Sequence, residues 1–128
     1  MTRNEFAVQV AQAVPVGTIL KNPGGGTSEI VQITDHKISY VRGSSTIGIS
    51  FDDLFSAYSN FKGAQVSSSE LRAYAPAIFD SAARPAGHSC NCTFLFLILK
   101  QMSLIDSILG SGVRGDPYAA HFRDSPDS

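Results

Sequence analysis

The sequence predicts an α+β domain, and three features of the 128-residue chain lead to that prediction. Between Gly17 and Phe51, short stretches of alternating polar and apolar residues are separated by tight turns, as in an antiparallel meander. A helix with an N-terminal capping pattern precedes this region, and further helix starts and the apolar run Phe94–Leu99 follow it. The strands lie too close together in sequence for helical crossovers, which excludes a parallel sheet in this half.

The first element is a short amphipathic helix. Thr2 and Glu5 have the spacing of a capping box, in which a hydroxyl and a carboxylate satisfy free N–H groups at a helix start. Phe6 and Val10 follow at helical spacing, and Pro15 ends the segment.

Three or four antiparallel strands are predicted for the meander. Asn22–Thr27 contains three consecutive glycines, but it lacks the lysine and the strand-to-helix context of a phosphate-binding loop, so a hairpin connection is predicted instead. The predicted strands are Thr18–Lys21, Glu29–Thr34, Lys37–Arg42 and Thr46–Phe51.

Helices dominate the C-terminal half. Ser50 and Asp53 begin a second helix that ends at Gly63, and Ser67–Ser69 begins a third that Pro76 breaks.

The apolar run Phe94–Leu99 suits either a buried strand or a helix buried on all sides. A helix is favoured because capping residues precede the run and because it is rich in Phe and Leu. Helical spacing continues through Leu104 and Leu109, and residues 113–122 are predicted to add an edge strand. Since the run has no polar side, it lies centrally or a second subunit covers it, which predicts a homodimer.

Bulk composition limits the classes of partner. A formal net charge of −1 argues against broad coating of nucleic acid, which needs a strongly basic face. Charged residues make up 16 %, below the roughly 25 % of average soluble domains, so part of the surface is expected to meet a partner. No apolar run approaches the ~20 residues of a membrane span. We expect one domain over 1–123, a disordered tail over 124–128, and no membrane association.

The motif His88-x-Cys90-x-Cys92 carries three interpretations. As a metal site it has unsuitable spacing and no second ligand pair, so no metal and no cofactor is predicted. As a nucleophilic site it would use a thiol at a helix start with His88 as base. Close packing of small side chains is favoured over both. Cysteines two apart are read as free thiols, which indicates a reducing compartment and a cytoplasmic protein.

Candidate ligand-binding residues are Tyr40, Arg42, Arg84 and His88. The catalytic candidates are limited to His88, Cys90 and Cys92.

A nucleic-acid interpretation rests on a different set of side chains. Lys37, Arg42 and Lys62 would form a basic flank, with Tyr40 and Phe51 as stacking platforms. Solvated strand residues and core aromatics are favoured instead, because the overall charge is close to neutral.

About half of the chain, from Ile38 to Leu99, carries a family resemblance. It rests on the segments Arg42-Gly43, Phe61-Lys62-Gly63, Ser69-Glu70-Leu71-Arg72 and Gly87-His88-Ser89-Cys90-Asn91-Cys92-Thr93-Phe94. This stretch is similar to the small proteins of bacterial mobile gene cassettes (integron cassettes) and to accessory domains of DNA-acting defence systems. The resemblance implies a bacterial cytosolic setting and homo-oligomerisation, and it transfers no activity or catalytic residue.

These observations favour a non-enzymatic binding protein, acting as a homodimer on a small molecule or a protein partner. One alternative is a cysteine-dependent enzyme that uses Cys90 or Cys92 with His88. A second alternative is a nucleic-acid-binding accessory domain.

Overall fold

An N-terminal helix, a four-stranded sheet and a helical half follow one another in the computed structural model, which describes all 128 residues. The predicted α+β class is confirmed. The helices are α1 Arg3–Ala13, α2 Phe51–Phe61, α3 Ser68–Tyr74, α4 Pro76–Phe79 and α5 Cys90–Gln101. The strands are β1 Ile19–Lys21, β2 Thr27–Ile33, β3 Lys37–Arg42, β4 Ser45–Ser50, β5 Gln65–Ser67 and β6 Ala119–His121.

Side-chain caps start three of the helices as predicted. The Thr2 hydroxyl accepts from the Glu5 N–H at 3.1 Å, and the Glu5 carboxylate accepts from the Thr2 N–H at 3.1 Å. The same reciprocal pair begins α3, and the Ser50 hydroxyl alone caps α2. Each cap satisfies N–H groups that the first helical turn leaves without an intrahelical partner.

The meander forms one antiparallel sheet with strand order β1-β2-β3-β4. The glycine-rich segment after Lys21 is the β1–β2 connection, since Lys21 pairs with Thr27. The β3–β4 turn has two residues, and Gly43 takes the positive φ of 60° that such a connection favours. The predicted hairpin turns are therefore confirmed.

Helix α5 lies at the centre of the domain. Every residue from Asn91 to Leu99 is buried, so the ambiguous apolar run is a helix surrounded on all sides. The Tyr40 ring of β3 stacks on Phe94 with 3.7 Å between centroids, and Phe96 meets Phe122 edge-on at 5.9 Å. Since this chain alone covers α5, the helix gives no support to the predicted homodimer, which stays a prediction.

The predicted continuation of α5 to Leu109 is wrong. The helix ends at Gln101 rather than continuing to Leu109, because the chain reverses at Ser103, whose φ is 60°. Leu104 stays buried in the core although it is not helical, which explains the misleading periodicity.

The edge strand predicted within residues 113–122 is present but short. It is β6, which pairs antiparallel with β5 in a separate two-stranded sheet. A three-residue strand is too short to show a period, so β5 gave no signal in the sequence. None of the helices is long and apolar enough to cross a membrane.

Candidate functional site

The loop from Asp80 to Ser89 delivers the chain to the start of α5. Ser81 and Ser89 each donate a backbone N–H to the other's hydroxyl, at 3.1 and 2.9 Å respectively. Gly87 packs so closely on this loop that a Cβ there would collide with the carbonyl oxygens of Asp80, Ala83 and Pro76. Ser89 has helical backbone angles, so α5 begins without a side-chain cap, and the Asn91 and Cys92 N–H groups donate to the His88 and Ser89 carbonyls instead.

A cavity of about 600 Å³ adjoins the start of α5. Its walls come from Arg42 at the end of β3, from Ser68, Ser69 and Arg72 on α3, from the first turn of α5, and from the loop Gly112–Tyr118. We call it the arginine cavity, because Arg42, Arg72 and Arg114 all line it. Its volume lies within the range of small-molecule sites.

Charge distinguishes the arginine cavity from the rest of the chain. Three guanidinium groups and no aspartate or glutamate line it, which gives a formal charge of +3 in a chain of net −1. The ion pairs of the protein are Arg3–Asp52 and Arg123–Asp106, so none of the three cavity arginines has a carboxylate partner.

Two of these arginines are anchored by hydroxyl groups. Arg42 donates to the Thr93 hydroxyl at 3.3 Å, and Thr93 in turn donates to the Cys90 carbonyl at 3.1 Å. Arg72 donates to the Ser69 hydroxyl at 3.2 Å. Each guanidinium has five N–H donors, so most of them remain free to bind a ligand.

The third arginine, Arg114, lies in the loop between Leu109 and Ala119. Arg114 forms no ion pair with Asp116, whose carboxylate accepts from the Ser111 N–H and hydroxyl at 3.0 and 2.8 Å. The Leu109–Ala119 bridge closes the base of this loop. Arg114 is therefore an exposed positive charge on a loop whose two ends are hydrogen-bonded to each other.

Ser68 adds a buried polar group to the cavity wall. The residue is only 8 % exposed, and its backbone N–H and carbonyl bond to Tyr118 and Cys92. Its hydroxyl forms no hydrogen bond within the chain. Every side-chain oxygen that is fully shielded from solvent has a hydrogen-bond partner in this protein. The Ser68 hydroxyl has none, so it must keep some access to solvent, and Ser68 lines the cavity.

The two cysteines differ in environment. Cys92 is 1 % exposed, and its Sγ lies 3.6 Å from the Phe79 carbonyl oxygen and 3.7 Å from that of Ser68. Burial raises the pKa of the Cys92 thiol to about 12, so this thiol stays protonated and is unsuited to nucleophilic attack. Cys90, in contrast, is half-buried and lines the arginine cavity.

A buried hydrogen bond connects the sheet to the first turn of α5. The Tyr40 hydroxyl donates to Asn91 Oδ1 at 2.8 Å, and Asn91 Nδ2 donates to the Ile78 carbonyl at 3.0 Å. Burial raises the pKa of Tyr40 well above its ordinary value, which keeps the hydroxyl a donor. Asn91 thus holds α5 to both β3 and α4.

The predicted site residues separate into two groups. Arg42, Cys90 and Cys92 line the arginine cavity, whereas Tyr40, Arg84 and His88 do not. Arg84 and His88 are exposed on the loop before α5, and the His88 N–H donates to the Ile78 carbonyl. His88 is therefore not placed in the cavity with the thiol that it was predicted to assist.

The prediction that Tyr40 and Phe51 could stack on bases, part of the nucleic-acid interpretation, is wrong. Tyr40 and Phe51 are 0 % and 1 % exposed, so neither ring can receive a base. Of the predicted basic flank, Arg42 lines the cavity, while Lys37 and Lys62 are exposed outside it. The structure brings no three His, Cys, Asp or Glu side chains together in a metal-binding arrangement.

Sequence reasoning missed Arg72, Arg114 and Ser68. Arg72 is four residues from Ser68 on α3, a spacing that places both on one helix face. Arg114 lies between two glycines in a segment that reads as a turn. No local pattern indicates that these segments meet the start of α5, because the juxtaposition depends on tertiary packing.

The resemblance to mobile-gene-cassette proteins stays a prediction. The chain matches no protein-family model, no curated protein and no solved structure.

Proposed function

We propose that this protein binds a small anionic ligand, carrying a phosphate or carboxylate group, in the arginine cavity. The observation that carries the proposal is the convergence of Arg42, Arg72 and Arg114 on one cavity without any carboxylate. Unpaired like charges held close together repel one another, so an anion that enters the cavity relieves this repulsion.

The surrounding donors suit phosphate and carboxylate chemistry. A guanidinium presents a planar fork of N–H groups that matches these anions in bidentate geometry. The α5 dipole adds positive potential at the first turn, while the Asn91 and Cys92 N–H groups there already donate to the His88 and Ser89 carbonyls, so the guanidinium groups are the main donors for an anion. The Ser68 hydroxyl supplies a further donor or acceptor inside the cavity.

A small ligand is favoured over a nucleic acid. The arginine cluster without carboxylate partners occupies one concave site, whereas sequence-independent nucleic-acid binding needs an extended basic surface. The buried positions of Tyr40 and Phe51 also remove the aromatic platforms that single strands use.

Thermal unfolding with inorganic phosphate at low ionic strength tests the proposal. A ligand that binds only the folded state stabilises it by about 1.4 kcal/mol at ten times its Kd. For a domain of this size we expect the Tm to rise by about 4–8 °C under that condition. Added sodium chloride should reduce the effect, since chloride competes and screens.

Two arginine variants give a matched comparison. Arg72→Gln removes a cavity charge and is expected to weaken phosphate binding about 10- to 100-fold, the value of one or two charge-assisted hydrogen bonds. Arg84→Gln removes the same charge from an exposed residue outside the cavity and should leave the affinity unchanged. An equal loss in both variants, or no phosphate effect on the wild-type protein, would refute the proposal.

A further inference from the structure

We propose that Cys90 is a modification site that forms a mixed disulfide with small anionic disulfides, those whose thiol halves carry a carboxylate. This inference rests on the proposed function, because the arginine cavity would bind the carboxylates of the reagent. The modified protein would carry an anionic thiol in the cavity, covalently attached through its sulfur.

Accessibility distinguishes the two thiols. Cys90 is half-buried and lines the cavity, and its side chain also lies near the buried Tyr40 hydroxyl. Cys92 also borders the cavity, but it is 1 % exposed and its Sγ lies against two carbonyl oxygens. A single reaction site is therefore expected.

Positive charge surrounds the accessible thiol. Arg42 is held over the first turn of α5 by Thr93, which itself donates to the Cys90 carbonyl. Cys90 is the first residue of α5, where the helix dipole is positive. Arg72 and Arg114 complete a cavity without acidic residues, so an anionic reagent is concentrated near this sulfur and a cationic one is repelled.

The buried part of the cavity can hold the remainder of such a reagent. Ser68 lines the cavity and is only 8 % exposed, and its hydroxyl has no hydrogen-bond partner within the chain. A ligand oxygen or amide can bond to that hydroxyl, and the 600 Å³ of space accommodates a drug-sized molecule.

The reaction is a thiol–disulfide exchange. The Cys90 sulfur, as thiolate, attacks one sulfur of the reagent R–S–S–R. The bond Cys90 S–S–R forms while the reagent's S–S bond breaks, and R–S⁻ leaves and takes up the proton that Cys90 released. Cys90 is oxidised and one half of the reagent is reduced, so the disulfide reagent is the only oxidant required.

Three disulfides of similar size and different charge test the inference. They are 3,3′-dithiodipropionate (anionic), bis(2-hydroxyethyl) disulfide (neutral) and cystamine (cationic). Intact-protein mass spectrometry gives the rate of adduct formation, and peptide mapping assigns the cysteine. Each rate is divided by the rate of the same reagent with urea-unfolded protein, which removes differences in intrinsic reactivity.

We expect one adduct per chain, at Cys90, with a normalised rate for the anionic reagent about tenfold or more above that for the neutral one. The cationic reagent should be slowest. Arg72→Gln and added salt should both reduce the preference, and Cys90→Ser should form no adduct. Reaction at Cys92, an equal normalised rate for all three reagents, or no adduct would overturn the inference.

Phosphate binding separates this inference from the function on which it rests. It is measured on the wild-type protein with reduced thiols, before any disulfide reagent is added. If phosphate binds but the anionic disulfide shows no preference, the inference fails and the proposed function remains. If phosphate does not bind, the proposed function fails and the inference loses its basis.

Discussion

Replacing Tyr40 by phenylalanine tests the buried hydrogen bond that positions the start of α5. The change removes one oxygen and leaves the ring that stacks on Phe94 at 3.7 Å. It also leaves Asn91 Oδ1, in a residue only 2 % exposed, without its donor at 2.8 Å. An unsatisfied buried acceptor costs about 1–3 kcal/mol, a substantial part of a total stability of about 5–15 kcal/mol.

A double-mutant cycle isolates the hydrogen bond. Asn91→Leu removes the acceptor, and the Ile78 carbonyl keeps a partner because the His88 N–H also donates to it at 3.0 Å. The double variant should lose less free energy of unfolding than the two single variants lose together, by about 1 kcal/mol or more. Urea unfolding followed by circular dichroism supplies the free energies.

Tyr74→Phe is the matched control, because its hydroxyl bonds to Ser56 on the surface. It should change stability by less than about 0.5 kcal/mol. Additive costs for Tyr40→Phe and Asn91→Leu, or a Tyr40→Phe cost no larger than the control, would refute the role assigned to this contact.

Three further predictions concern the fold. Because burial raises the pKa of Cys92 from its ordinary value of 9.0 to about 12, the folded state holds this proton more tightly than the unfolded state. Its contribution to stability is complete below pH 9 and is lost as pH rises from 9 towards 12, about 4 kcal/mol in total. Urea midpoints across this range should fall less steeply in Cys92→Ala, and an identical slope in both proteins would contradict the assignment. Gly87→Ala should destabilise the domain by more than about 2 kcal/mol in urea unfolding, because the added Cβ meets the Asp80 carbonyl and other backbone rather than a side chain that can move. A neutral effect would show that the loop is not closely packed. Thr2→Ala should cost about 1 kcal/mol in the same assay through loss of the α1 cap, whereas an unchanged midpoint would show that the cap contributes nothing.

The sequence was sufficient to predict elements that are specified locally. The caps at Thr2, Ser50 and Ser67 and the turn at Gly43 depend on residues a few positions apart, and the structure confirms them. The helical state of Phe94–Leu99 was also predicted correctly, from its composition. The caps expected before it are absent, because Asn91 and Thr93 lie inside α5 and Ser89 makes no side-chain cap.

Features that depend on tertiary packing were not predictable from local patterns. Leu104 keeps helical spacing but reaches the core through a chain reversal at Ser103. The β5–β6 pair joins segments more than fifty residues apart, and each strand has only three residues.

The candidate site also has one part that local sequence indicates and another that depends on tertiary packing. The sequence identified the segment around Cys90 as a candidate site, because it places reactive side chains at the start of a helix. The near-neutral charge of the whole chain concealed the local charge, because Arg42, Arg72 and Arg114 come from three separate parts of the sequence. Only packing against α5 brings them to one cavity.

A ¹H–¹⁵N NMR titration with inorganic phosphate tests the central claim most directly, because it locates binding as well as detecting it. The account predicts saturable shifts that are largest for the backbone amides of Cys90–Thr93 and for the side-chain Nε–H of Arg42 and Arg72. It also predicts that Arg72→Gln weakens these shifts while Arg84→Gln does not. Shifts spread evenly over the exposed lysines, or no saturable shift at the start of α5, would contradict the claim that the arginine cavity binds anions.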